Sequence, residues 1–231
     1  MKKVAILQSN YIPWKGYFDM INSVDTFVLY DDMQYTKNDW RNRNKIKTQN
    51  GAVWLSIPVR QEKLAQTIKD TKVLDSRWAG QHLKTISQNY AKAPHFKSNK
   101  EWLEELYNKA QNMEFLTDIN TFFLRSINTF LGIKTEILSS SDFVLADGKT
   151  ERLVALCQSL GADVYISGPS AKDYLDEALF SQEKITVEWM DYSGYQPYNQ
   201  LFPPFEHGVS VIDLILNEGD EALKFMKSFN K

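Results

Sequence analysis

The sequence predicts an α/β fold: a mostly parallel sheet with helices on both faces, together with a β-hairpin and a helical insertion. Three observations predict it. Short unbroken apolar runs at residues 4–7 and 26–30 enclose a short helical pattern, as strands covered on both faces of a parallel sheet do. Asn50-Gly51 separates two strand-like runs. A helical rhythm over residues 78–131 interrupts the α/β alternation, which resumes after Gly132.

Taken in order, residues 4–7 form the first strand, and polar Gln8, Ser9 and Asn10 end it too early for a signal peptide. Residues 16–22, with Tyr17, Phe18, Met20 and Ile21, read as a short helix, and residues 26–30 as the second strand, giving a βαβ unit. Residues 44–48 and 53–59 flank Asn50-Gly51, whose positive φ angles suit a tight hairpin turn. Helices are expected at 78–91, 97–112 and 115–131, punctuated by Pro94 and Gly132. A strand at 135–138, a helix at 150–160, a strand at 163–167, a helix at 171–180 and a strand at 185–190 restore the rhythm. Helices at 209–216 and 221–229 complete it. The expected organisation is one domain over 1–231 with a helical insertion at about 78–132.

Composition narrows the function classes. Twenty-seven Lys plus Arg against twenty-nine Asp plus Glu give a net charge of -2, so no basic field exists to collect a nucleic-acid backbone. Cys157 stands alone among Leu153, Val154, Leu156 and Leu160, which excludes an internal disulfide and reads as a buried, inert thiol. No run reaches the roughly 18 apolar residues of a membrane span, and the reducing cytoplasm is the expected location. His82, His95 and His207 have no compact ligand spacing, so no metal site is expected. Gly148-Lys149-Thr150 resembles the tail of a phosphate-binding loop, but Phe143 stands where the leading glycine belongs, and the segment reads as a helix start.

Candidate site residues gather at strand ends, where ligands bind in open α/β sheets. The loop after the first strand offers Gln8 and Asn10 as donors and acceptors, Tyr11, Trp14 and Tyr17 as flat faces, and Lys15 at a helix start for a phosphate. The same loop could instead shape a turn while its aromatics pack in the core. After the second strand, Asp31-Asp32 precede Gln34, Trp40, Arg41, Asn42, Arg43 and Lys47. That carboxylate pair could bind Mg²⁺, hold a substrate amine or hydroxyl, or pair structurally with Arg41 and Arg43. Neighbouring carboxylates on a strand point to opposite faces, so one works in a pocket, and Asp32 is chosen. A third cluster holds Ser167, Gly168, Ser170 and Tyr174, where Ser170 with Asp173 could cap a helix or amides near Gly168 could hold an anion. Tyr198, Gln200 and His207 lie in a late aromatic loop that suits a lid or a subunit contact, a homodimer included. His82 is the general-base candidate. The two early loops are expected to converge over one cavity.

The run Gln8-Ser9-Asn10-Tyr11-Ile12-Pro13-Trp14-Lys15-Gly16-Tyr17-Phe18 resembles the WbqC-like family. The likeness continues through Asp31 to Tyr35, Arg41 to Lys47, Asn50-Gly51 with Trp54-Leu55, Asn89-Tyr90 through Ala93-Pro94, Tyr165 to Ser170 with Asp173 to Leu175, and Ser210 to Leu214 with Asn217 to Gly219. Ser9 replaces the proline common in that motif. The resemblance implies a role in bacterial O-antigen and related surface-polysaccharide biosynthesis. A more distant likeness to pantothenate-synthetase-type ligases implies a Rossmann-like sheet of the HUP and nucleotidyltransferase kind. It also implies N-acyl or aminoacyl transfer, or amide ligation, onto a nucleotide-linked amino sugar from a small acyl or amino-acid donor, with ATP and Mg²⁺ as the cofactors raised. The histidine pair that such ligases use falls where this chain has Trp14 to Tyr17, so charge stabilisation would come from Lys15, Arg41, Arg43 or Lys47, and acyl transfer from an activated donor becomes the alternative. A non-catalytic nucleotide-sugar-binding or assembly protein is the competing reading, and a purely structural partner a third.

Overall fold

A computed structural model describes residues 1–230. The first half runs β1 (Lys3–Leu7), α1 (Lys15–Asn22), β2 (Thr26–Leu29), β3 (Arg43–Thr48), β4 (Gly51–Ser56), β5 (Val59–Arg60), β6 (Lys72–Val73), α2 (Arg77–Tyr90) and α3 (Phe96–Ala110). The second runs α4 (Leu116–Leu131), β7 (Glu136–Ser139), α5 (Thr150–Ser159), β8 (Val164–Ser167), α6 (Glu177–Gln182), β9 (Thr186–Trp189) and α7 (Val211–Glu218).

Five strands form one parallel sheet in the order β7-β2-β1-β8-β9, an α/β, Rossmann-like arrangement. Side chains alternate across it as the two-residue period requires. Val4, Ile6, Val28 and Tyr165 pack on one face with Leu156 and Cys157 of α5 and Phe180 of α6. Ala5, Phe27, Leu29 and Ile166 pack on the other with Phe18 and Ile21 of α1, and that apolar layer continues into Trp78, Leu103, Phe123 and Ile127 of α2 to α4. Helices therefore cover both faces, and the helical block shares its core with one of them.

The structure alters three local expectations. In the β3–β4 hairpin only Gly51 takes a positive φ (98°), while Asn50 does not, and β4 stops at Ser56. The chain leaves there because the Ile57 amide donates to Asn42 O (2.7 Å), and Val59–Arg60 pairs instead with Lys72–Val73, strands too short to show a period. The helix expected at 171–180 is a 3₁₀ turn, Pro169–Asp173, followed by α6 with Asp176 as its cap (Oδ1 to Ala178 N, 2.9 Å), so Ser170 caps nothing. Tyr174 leaves the helical region (φ -139°), and Leu175 can then enter the core. The helix expected at 221–229 is two 3₁₀ turns, because the Asp19 carboxylate accepts the amides of Lys227 (3.0 Å) and Ser228 (2.9 Å) and draws the chain onto α1.

The late loop is tied down by a second buried carboxylate. Asp213 on α7 is fully buried and accepts from Tyr90 Oη (2.5 Å), Tyr198 Oη (2.5 Å) and Gln200 Nε2 (2.8 Å), joining α2, the loop and α7. Burial pushes its pKa up, and these donors together with Lys47 oppose the rise. Removing the carboxylate strands donors that have no water to turn to. Asp213→Ala is expected to lower stability by about 3 kcal/mol, read as a shifted urea midpoint at unchanged slope.

Candidate functional site

The strand order reverses at β1: the chain passes from it to β2 on one side, while β8 lies on the other. Loops leaving the carboxyl ends of β1 and β8 diverge there, which opens a crevice. A cavity of about 700 Å³ occupies it. Gln8 closes β1's end, Tyr30 follows β2, and Ser167, Gly168 and Ser170 follow β8. Gly148, Lys149 and Arg152 approach from the start of α5, and Tyr174 and Tyr192 from the rim.

The charged side chains of its lining are Lys149 and Arg152, with the Glu151 carboxylate close to Gly148 in the wall. Lys149 is exposed and stands at the N-cap position of α5, where no side chain caps the first turn. Free amides, the positive end of the helix dipole and a lysine thus gather at this end of α5. Arg152 is half-buried, anchored by Nε to Ala146 O (2.9 Å). Gly148 sits at φ +93°, where any other side chain is strained, and a Cβ there would also push the Glu151 carboxylate, 2.1 Å from its position, aside. Burial raises the hydroxyl pKa of Tyr30 and lifts that of Tyr192 to about 12, so both are neutral donors at pH 7. Among the described residues, no Asp, Glu or His lines this cavity. The arrangement can hold an anion beside flat, hydrogen-bonding rings.

Beyond the Gln8–Asn10 turn, Asn10, Trp14, Trp40 and His207 line a second hollow of about 310 Å³. The early loops touch here, although the expected single cavity does not include Arg43: the Tyr11 amide donates to Trp40 O (3.1 Å), and the Arg41 guanidinium bonds Gln8 Oε1 (3.0 Å) and Asn10 Oδ1. Trp14 reaches the hollow by folding back over Gly16, where a Cβ would lie 2.3 Å from the indole. It packs against Tyr192 and Tyr195 (centroids 5.2 and 5.5 Å).

The predicted site residues thus divide. Gln8, Ser167, Gly168, Ser170 and Tyr174 share the large cavity, Asn10, Trp14, Trp40 and His207 the hollow, and Arg41 spans the wall between them. Others lie in neither lining. Arg43 stacks over Trp54 (4.1 Å) and bonds Asn38, outside both linings. Asp32 is held by Lys69, Ser140 Oγ (2.6 Å) and Ser141 Oγ (2.9 Å); burial alone would raise its pKa, and these bonds outweigh it and keep the group ionised at lower pH than usual. Its neighbour Asp31 is buried and raised by desolvation, accepting from Ser9 N (2.8 Å) and Thr117 Oγ1 (2.5 Å).

Further members support the loop walls. Tyr17 donates to Gln8 O (2.9 Å), Lys15 is buried and donates to Gln196 O (3.2 Å), and Lys47 donates to Pro204 O. Desolvation lowers the Lys15 pKa to about 8, with Asp19 and Asp213 opposing. Asn42 donates to Ile57 O (2.8 Å), Gln34 to Leu64 O (2.7 Å), and Tyr198 and Gln200 bond Asp213 as described. Sequence reasoning missed Tyr30, Met33, Lys149, Arg152 and Tyr192 as cavity residues. Gly148-Lys149 was the one available signal, since it opens a helix without forming a phosphate loop.

His82 lies in the core. Its Nε2 faces Ser56 O (3.2 Å), so that nitrogen donates and Nδ1 accepts from Tyr11 Oη (2.9 Å), which in turn contacts Tyr107 Oη (2.7 Å). Burial lowers the imidazole's pKa from 6.5 to about 4, with the Ser56 bond opposing. A depressed base binds protons less readily folded than unfolded, so its contribution is complete above pH 6.5 and erodes as pH falls toward about 4. The difference in unfolding free energy between the parent and His82→Gln, measured in urea at stepped pH, is expected to shrink steadily over that window.

The model of the WbqC-like protein family matches residues 8–225 of this chain. The uncharacterized protein Rv1507c of Mycobacterium tuberculosis is 48% identical over 228 residues, which covers 98% of each chain. No solved structure matches.

Proposed function

This chain belongs to the WbqC-like protein family, and from that premise we propose that the switch-point cavity binds a nucleotide-linked amino sugar, within the surface-polysaccharide chemistry that the family resemblance implies. One observation carries the reading: Arg152, Lys149 and the uncapped start of α5 meet at the sheet's topological switch point. A diphosphate supplies the charge that these groups attract. Tyr174, Tyr192 and Tyr30 offer faces for a base or sugar and hydroxyls for its edges. At about 700 Å³ the cavity has room for more than a phosphate.

Acyl or aminoacyl transfer to the sugar's amine is the chemistry that the resemblance implies, and such a step needs a group to take the amine proton. The cavity lining has no carboxylate or imidazole for it, so binding leads the reading. For the same reason the lining has no carboxylate to hold Mg²⁺ beside a nucleotide, and no metal-assisted step is drawn.

Isothermal titration with uridine and thymidine diphosphates and their N-acetylamino-sugar conjugates tests the proposal. The parent protein is expected to bind at least one of them. Arg152→Ala and Lys149→Ala are each expected to weaken binding by about tenfold or more, while Lys100→Ala on α3 leaves it unchanged. No heat with any probe, or unaltered affinity in both variants, rejects the reading.

A further inference from the structure

The two cavities differ in chemistry. Among the described residues, the lining of the smaller one contains no Lys, Arg, Asp or Glu. The nearby cations are already engaged, Arg41 on Gln8 and Asn10 and Lys15 on Gln196 O, so the lining presents neutral side chains to a ligand. What the lining does offer is flat apolar area and unsatisfied polar atoms. Trp40 is 41% exposed, and its ring lies 5.1 Å from that of Trp54, also 41% exposed, so an aromatic shelf runs outward from the hollow. The guanidinium of Arg43 lies over the Trp54 ring (4.1 Å) and fixes that shelf. Among the described residues, the amide nitrogen of Asn10, the indole N–H groups of Trp14 and Trp40, and both ring nitrogens of His207 have no hydrogen-bond partner. By contrast Asn44 at the floor is satisfied, donating to Tyr11 O (3.0 Å) and Ile12 O (3.1 Å) and accepting from Lys45 N (2.7 Å).

An aromatic face beside several open donors and an acceptor, in a lining of neutral side chains, suits a ring with an apolar side and a hydroxylated edge. We propose that this hollow is a subsite for a neutral pyranose ring of a saccharide, stacked through its C–H face on Trp40, with its hydroxyls bonded by Asn10 and His207. Desolvation, with Lys15 nearby, holds the His207 imidazole below its ordinary value, so at pH 7 it offers one donor and one acceptor. Arg41 connects this subsite to the larger cavity, since it bonds Gln8 in one wall and Asn10 in the other. A saccharide here would lie one side chain away from a sugar nucleotide in the larger cavity, the geometry of a two-substrate site. The subsite itself stands without the nucleotide reading.

Saturation-transfer NMR on the full chain with N-acetylglucosamine and with methyl α-glucopyranoside tests it. Transfer to ring C–H protons is expected, undisturbed by saturating uridine diphosphate. Trp40→Ala, a change at a partly exposed site, is expected to weaken binding by about tenfold, and His207→Ala by several-fold. Absence of transfer from both sugars, or transfer unchanged in both variants, overturns the proposal. Displacement of the sugar by free uridine also overturns it, because the hollow would then take a base. Saccharide binding without any nucleotide binding sinks only the proposed function; the converse sinks only this subsite.

Discussion

Two hydrogen bonds from the Asn44 amide, to the carbonyls of Tyr11 and Ile12, hold the turn that separates and shapes both cavities. Ile12 is fully buried at φ +35°, a region that β-branched residues avoid and that costs about 1–3 kcal/mol. Such a conformation persists only where its surroundings over-determine it. Here Asn44 satisfies the two carbonyls, the Tyr11 amide donates to Trp40 O, and the Val211 amide donates to Pro13 O (2.9 Å). Strand β3, the Trp40 loop and α7 therefore all clamp one short turn. Its outcome is that Gln8 points to one cavity and Asn10 to the other.

Charge is sorted around that turn by burial. The acidic groups near it serve as anchors: Asp31 holds Ser9, Asp213 holds the late aromatic loop, and Asp19 holds the chain's last turns. Each sits where donors replace water, so none is left to face the large cavity. The cations are divided likewise. Lys15 and Lys47 are buried against backbone carbonyls, whereas Lys149 and Arg152 reach the cavity. One cavity is thereby lined by two cations and the other by neutral side chains, although the chain as a whole carries a net charge of only -2. Overall composition says little about local fields.

Local signals made the scaffold legible. Short unbroken apolar runs marked β1 and β2, the 3.6-residue period marked α2, α3 and α4, and Gly132 marked the end of α4, where it takes φ +73°. What failed was decided at a distance: the helix expected at 221–229 gave way because Asp19, some two hundred residues earlier in the chain, accepts its amides. Two-residue strands such as β5 and β6 carry no period to read.

The site divides along the same line. The sequence alone determined that Gln8, Asn10, Trp14 and Trp40 gather at strand ends and that Ser167 to Ser170 open a second such junction, because polar and aromatic residues after an apolar run mark where a strand stops. Only the tertiary structure decided which of them share a cavity. The order β7-β2-β1-β8-β9 places the start of α5 beside Gln8, so Lys149 and Arg152 join a wall with residues about 140 positions earlier. Packing also withdrew Tyr11 and His82 into the core and turned Arg43 onto Trp54. Periodicity fixes which face a side chain leaves from; the neighbours that meet it there depend on strand order and on where buried polar groups find partners.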